Sequence, residues 1–449
     1  MTTPLPDATA STAHARPPTF GEAFRFWLKL GFISFGGPTG QIAIMHTELV
    51  EKKRWIGDER FFHALNYCML LPGPEAQQLA IYCGWLLHRT WGGLVAGILF
   101  VLPSVFILWL LSYVYVTFGA VSWIAAIFYG LKPAVLAIVA AAVLRIGQKV
   151  LKNAVMWSLA ALAFAAIFFF KAPFPAIMGA AALIGFVGGL RWESIFNVVK
   201  GHGGKGLAHG PAVIDDAHAA PAHTKPSMGW SIRVLVTGVA LWSLPIVAAG
   251  ICHGWRGTLA QEGIFFSKAA MVTFGGAYAV LPYVAQQAVE HYGWLSAPQM
   301  LDGLGLAETT PGPLIMVLQF VGFLGGWSAP GGLPPLLAAT LGAALTTWVT
   351  FVPCFIWIFL GAPHIEQLRN QTKLTCALSA VTAAVVGVVL NLAVWFGWHV
   401  IVPADQEGVD LFVIGVGVAA FVAMQRFKVD LIPVVFVSGL LGLVYRLVW

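Results

Sequence analysis

The chain has 449 residues, of which 59% are hydrophobic and only 10% charged, and its mean hydropathy is +0.81. A soluble domain carries about a quarter charged residues, so this composition, with 18 Trp and 31 Phe, excludes an ordinary soluble domain and makes lipid the main solvent. The net charge of +6 does not point to nucleic acid, because the basic residues sit between apolar runs, as the positive-inside rule requires.

The first residues, MTTPLPDATASTAHARPPTF, contain no apolar h-region, so no cleaved signal peptide is expected. Apolar runs then fall near 24–45, 61–87, 91–117, 121–144, 153–170 and 173–190. A polar gap at 191–229 follows, then runs near 230–251, 262–289, 300–327, 333–361, 374–398, 408–424 and 429–448. Runs of this length suit membrane helices, and the short alternating segments of a barrel are absent. The expected fold is an all-α polytopic membrane protein with about 13 hydrophobic segments. Its expected divisions are a tail (1–19), a first membrane repeat (20–190), a linker (191–229), an inverting segment and loop (230–261) and a second repeat (262–449). The linker's His202, His209, His218 and His223 are irregularly spaced among Gly, Ala, Pro and Asp, which reads as a solvated connection rather than a metal site. Cys68, Cys83, Cys252, Cys354 and Cys376 show no paired spacing, so neither a disulfide framework nor a metal or other cofactor is expected.

The two groups of six runs are copies. A shift of 239 residues sets Phe26 on Phe265, Lys29 on Lys268, Phe35-Gly36-Gly37 on Phe274-Gly275-Gly276, Trp55 on Trp294, and Pro72-Gly73-Pro74 on Pro311-Gly312-Pro313. Across 26–74, twelve of 49 positions are identical without a gap. Further on the shift becomes 250, placing Leu102-Pro103 beside Val352-Pro353. Composition can align Leu and Ala by chance, but not GG, W and PGP at fixed separations. Seven runs precede the second copy, so the copies face opposite ways, with 230–251 performing the inversion. Inverted repeats with interrupted helices are a signature of secondary transporters.

Two topologies fit this pattern. If every run spans, the loop 46–60, with Lys52, Lys53, Arg54 and Arg60, lies outside and violates the positive-inside rule. If the first two runs of each copy are re-entrant, folding back at GG and at PGP, that loop becomes cytoplasmic. Its partner, 290–299, which holds no Lys or Arg, becomes external.

The breaks are the candidate site. Non-helical backbone at membrane depth is tolerated only where protein buries it or a cavity receives it, and the amides of a half-helix start suit an anion. Pro72 is expected at the first position of a new half-helix, with Glu75 in its first turn. The amides of Gly36, Gly37, Gly73, Gly275, Gly276 and Gly312 are expected to cradle an anion, with Ser34 and Thr273 donating hydroxyls and Pro74 and Pro313 closing the breaks. Lys29 and Lys268 supply two positive charges if they reach the centre, or snorkel to an interface if they do not. Thr309 and Thr310 either cap the half-helix opened by Pro311 or bind substrate. Glu75 precedes no helix end, whereas Glu308 falls just before its break, so Glu308 is expected to be the proton site and Glu75 to stay ionised or hydrogen-bonded. Gln77, Gln78 and Gln319 are expected to make packing hydrogen bonds, with Gln78 joining Glu75 and Glu308 as the candidate proton-coupling or polar network. His46, His63 and His88 have no metal spacing, and no HExxH, GxSxG or P-loop occurs, so an enzyme has little support.

KLGFISFGGP with LPGPEAQQLA in one half, and SKAAMVTFGGAYAVLPYV with GLAETTPGPLIMVLQFVGF in the other, resemble the two-half form of the chromate transporter family from about residue 20 onward. The resemblance implies export of chromate, with sulfate as an isosteric competitor, from the bacterial cytoplasm across the inner membrane, conferring resistance. Loop charge and the topology above place the N-terminus and the 191–229 linker in the cytoplasm. The partners implied are an oxyanion, the bilayer and, as an option, a second copy of the chain. Alternating access is the expected mechanism. An anion channel of the same architecture, or an ion-coupled transporter of another anion, is the alternative.

Overall fold

The computed structural model describes residues 16–35, 37–198, 212–214, 227–364, 372–403 and 408–448. Gly36 and the four linker histidines lie outside the described residues. The described chain is helical throughout, with one isolated parallel bridge between Ile56 and Ile214.

The first repeat opens with two hairpins that enter and leave on the same face. Helix α1 (Phe20–Ile33) stops at Ser34, and α2 (Gly37–His46), extended by a π-turn over 47–52, returns. The return is shown by Trp55, whose ring meets Phe26 of α1 at 5.6 Å. At 14 residues, α1 is about 21 Å long, short of the roughly 30 Å of hydrocarbon. Helix α3 (Asp58–Cys68) then descends to the PGP break, and α4 (Glu75–Phe118) starts beyond it. At His88 (φ −138°) and Arg89 (φ 52°) the backbone of α4 is non-helical and folds it into two antiparallel arms. Gly84 and Gly92 touch backbone to backbone across this turn, Gly93 abuts Ile81, and Gln77 Nε2 donates to the Gly97 carbonyl. The 75–87 arm therefore climbs back to the entry face, where His88 Nε2 lies 3.0 Å from the Pro18 carbonyl.

The second repeat repeats this plan from the other face. After α5 (Ser122–Val150), α6 (Ala154–Phe170), α7 (Phe174–Arg191), the short α8 (Glu193–Phe196) and α9 (Met228–His253), the chain is on the face opposite its N-terminus. Helices α10 (Thr258–Met271) and α11 (Ala277–Ala285) form the third hairpin; α12 (Ala297–Thr309) and α13 (Val317–Ser328) form the fourth. Phe265 meets Trp294 at 5.7 Å, matching the Phe26–Trp55 pair. Thr258 Oγ1 donates to the Ala329 carbonyl, tying the ends of these hairpins together. Helices α14 (Pro335–Gly361), α15 (Thr372–Ile401), α16 (Leu411–Arg426) and α17 (Leu431–Val448) complete the chain.

The re-entrant arrangement is thus the one adopted. Seven helices are long and apolar enough to cross a membrane; α6 and α16, of 17 and 16 residues, bring the crossings to nine among the described residues. The remaining four runs are the hairpins. Small residues allow the close packing. Gly185 and Gly189 of α7 sit against Cys376 and Ala380 of α15, while Gly326 of α13 sits against Ala338 of α14. The repeats interlock, because α15 packs on α5, α6 and α7, and both α16 and α17 pack on α5.

Candidate functional site

The four breaks meet at one junction. The Gly73 amide donates to the Thr273 carbonyl at 2.8 Å, and the Gly312 amide donates to the Ser34 carbonyl at 2.7 Å. The shift of 239 relates Gly73 to Gly312 and Ser34 to Thr273, so each repeat's PGP is tied to the other's GG turn by one reciprocal bond. Both glycines have positive φ, 114° and 117°. A Cβ would come 2.9 Å from Cys354 Sγ at Gly73 and 2.7 Å from Ser104 Cβ at Gly312. Ser104 and Cys354 are themselves equivalent under the shift of 250. The pseudo-twofold therefore holds at atomic detail where the breaks cross.

Several expected roles need correction at this point. The Gly73 and Gly312 amides are occupied by carbonyls, so they are not free anion donors. Ser34 Oγ donates to the Leu30 carbonyl and Thr273 Oγ1 to the Ala269 carbonyl, each four residues back, which spends both hydroxyl protons. Thr309 and Thr310 also bond backward, to carbonyls of Gly305 and Leu306, and cap nothing beyond Pro311. Pro72 does not start the half-helix; Pro74 is the N-cap residue of α4, and Pro313 opens the 3₁₀ turn Leu314–Met316 ahead of α13. Lys29 and Lys268 are exposed, on the sides of α1 and α10 away from the buried Phe26, Trp27 and Leu30 or Phe265, Phe266 and Ala269. Neither is buried in the junction itself.

Three half-helix starts converge without side-chain caps: α4 at Pro74, the 3₁₀ turn at Pro313 and α11 at Gly276. Gly37, Gly275 and Gly276 hold positive φ (72°, 77° and 97°) at the GG turns, backbone that only glycine adopts freely. Glu75 faces this region: its Oε1 lies 3.9 Å from where a Gly276 Cβ would be. Glu308 is buried and accepts a hydrogen bond from the Tyr278 hydroxyl. The two acids flank the junction, one from each repeat. Gln78 Nε2 donates to the Pro72 carbonyl, Gln77 to Gly97 and Gln319 to Val105, all packing bonds as expected.

Two groups of residues escaped sequence reading. Gln41 Nε2 donates to the Gly312 carbonyl at 2.6 Å, bridging α2 to the opposite PGP. Its equivalent is Val280, so the only signal was a polar residue breaking the symmetry. Arg145 and Lys149 are the other case: Arg145 lies in electrostatic reach of Glu308 and Tyr278, and Lys149 of Glu75. The fourth apolar run ends at 144 in the sequence, yet α5 continues to Val150 and carries both cations, exposed, on one helix face. In sequence they cannot be told from ordinary positive-inside charges. Among the described residues no cluster of three His, Cys, Asp or Glu is arranged to hold a metal.

Fold and junction together define a class: a polytopic membrane protein of two inverted repeats whose interrupted helices cross at the centre. The family model for chromate transporters matches residues 21–186 and 261–443. The chain belongs to the chromate transporter family. It is 29% identical over 445 residues to the chromate transport protein of Cupriavidus metallidurans, covering 98% of this chain and 97% of that one. It is 30% identical over 446 residues to the chromate transport protein of Pseudomonas aeruginosa, covering 97% and 95%. An uncharacterized transporter of Methanocaldococcus jannaschii is 23% identical over 425 residues. No solved structure matches the chain.

Proposed function

We propose that this protein exports chromate, and binds sulfate in competition, by alternating access at the junction of the four breaks. The observation that carries this reading is the reciprocal pair of backbone bonds, Gly73 to Thr273 and Gly312 to Ser34. It brings half-helix starts from both repeats to one point, and such starts favour anions. The donors to the oxyanion are the first-turn amides after Pro74, Gly276 and Pro313, with Gly37 and Gly275 leaving the backbone open to approach. Arg145 and Lys149 draw the dianion in; Glu308, held by Tyr278, carries a proton, and Glu75 orders the polar network.

The N-terminal face is assigned to the cytoplasm of a bacterial inner membrane. Its connections hold Lys52, Lys53, Arg54, Arg89, Lys152 and Lys428, whereas those of the other described face hold Lys171 and Arg256. With the cytoplasm negative, moving a dianion outward gains about 4.6 kcal/mol per 100 mV, twice the single-charge value. That supports roughly a thousandfold gradient, so the membrane potential suffices to drive export and thereby resistance.

Labelled chromate flux into inside-out vesicles tests this, with the potential and the pH gradient imposed separately. A lumen-positive potential is expected to drive chromate in, with unlabelled sulfate competing. Vesicles that accumulate no chromate under either force, and in which chromate competes with nothing, exclude the reading.

A further inference from the structure

Glu262, in the first half of α10, is 0% exposed, and neither carboxyl oxygen has a hydrogen-bond partner. The side chain fills a notch cut into the helices beside it. A Cβ at Gly325 of α13 would run into Glu262 Oε1, and one at Gly342 of α14 would come 2.7 Å from Oε2. The hydroxyl of Thr346, on α14 one turn beyond Gly342, is also buried without a partner and abuts Gly322 of α13. The α10–α13–α14 junction thus holds a carboxyl and a hydroxyl that packing alone leaves unsatisfied.

The first repeat builds the same junction without an acid. The shift of 239 sets Glu262 on Ala23, which is buried, so the entering helix of the first repeat carries a small apolar residue where the second carries the acid. An apolar solution is therefore available to this fold, and a buried polar group without a partner is costly. Packing does not account for the acid.

The charges around it are few. Helix α9 carries Arg233 and His253 at its two ends, α11 carries Tyr278 and Tyr283, α14 carries the Cys354 thiol, and α13 carries no titratable group. On α10 itself Lys268 is exposed. None of these donates a hydrogen bond to Glu262. An ionised carboxylate has no counter-charge here, whereas the neutral acid fits the notch.

We propose that Glu262 is a proton-binding residue of the transport cycle, protonated while α10 is seated on α13 and α14. When α10 lifts away toward the face from which it enters, the carboxyl O–H bond breaks, the proton passes to water and the carboxylate is hydrated. Opening of that hairpin is then favoured by high pH on that face. This rests on the transport reading above.

Two variants test it in purified, reconstituted protein: Glu262→Gln, which mimics the neutral acid, and Glu262→Ala combined with Gly325→Leu, which replaces the carboxyl by apolar volume. Wild-type chromate flux in inside-out vesicles is expected to rise with lumenal pH, at its steepest by about tenfold per unit for one proton. Both variants are expected to flatten that dependence while the imposed potential still drives flux. In infrared spectra the wild type is expected to show, within the C=O stretch of buried protonated carboxyls, a component that both variants lose. Variants that keep the wild-type lumenal pH profile, or an unchanged infrared band, overturn the proposal. If the wild type moves no chromate, the transport reading fails by itself. The infrared band, titrated from the lumenal side, still decides whether Glu262 holds a proton.

Discussion

Single residues set the tolerances of the junction. Gly73 and Gly312 combine positive φ with neighbours where a Cβ would stand, so neither accepts a side chain. Gly73→Ala and Gly312→Ala are each expected to cost at least about 1–3 kcal/mol through backbone strain, read as a lower Tm in detergent, with similar losses because the sites are equivalent. Outside the bilayer, Lys52 Nζ donates to Glu48 Oε1 at 2.8 Å and holds the Glu48 carboxyl below its ordinary value of 4.5. A lowered carboxyl stabilises the fold above that ordinary value and loses the contribution as pH falls. Because Lys52 is largely solvated, Glu48→Gln is expected to cost only about 0.3–0.5 kcal/mol at neutral pH, vanishing well below 4.5. Thermal unfolding of both proteins at neutral and acidic pH checks the sign. At this scale the sequence exposed the glycines and prolines of the breaks, because their backbone demands are intrinsic. It could not show that the Ser34 and Thr273 hydroxyls turn back onto their own helices, since a hydroxyl's partner is chosen by the local turn.

At the scale of elements, the folding of α4 at His88–Arg89 matters most. Residues 75–118 form two helical arms joined at the non-helical His88–Arg89, and the Gly84–Gly92 contact closes them into a hairpin. Cysteines placed at Lys53 and Arg89, in a Cys252→Ser background that removes the exposed native thiol, are expected to label from the same face. Cysteines at Gly293 and Gly331 are expected to label only from the other. Opposite-face labelling of positions 53 and 89 excludes the re-entrant hairpins. The run boundaries near 87 and 91 were legible because His88-Arg89 interrupts an apolar pattern. The direction of the chain after each break was not, since GG and PGP bend a crossing helix as readily as they reverse one. Loop charge gave the hint, and the contacts of Trp55 and Trp294 settle it.

For the whole molecule, the two repeats are not separable bodies. Helix α15 packs on α5, α6 and α7, α17 packs on α5, and each PGP amide needs a carbonyl from the other half. Fragments 1–227 and 228–449, expressed alone, are expected to give little folded protein. Co-expressed, they are expected to copurify and recover thermal stability, measurable by gel filtration and Tm. Stable, monodisperse half-molecules would contradict the interlocked arrangement.

The sequence by itself determined the solvent, the duplication and the four places where helices must stop, because hydropathy, repeat register and the chemistry of Gly and Pro are local properties. It also carried the resemblance to chromate transporters, which the family match bears out. Only the tertiary structure decided what lies at the breaks. It tied Gly73 to Thr273 and Gly312 to Ser34, left Lys29 and Lys268 exposed, brought Arg145 and Lys149 into reach of the junction acids, and enclosed Glu262 between three helices. These are contacts between residues far apart in the chain. Each depends on which faces two inverted repeats turn toward each other, and no local pattern encodes that choice.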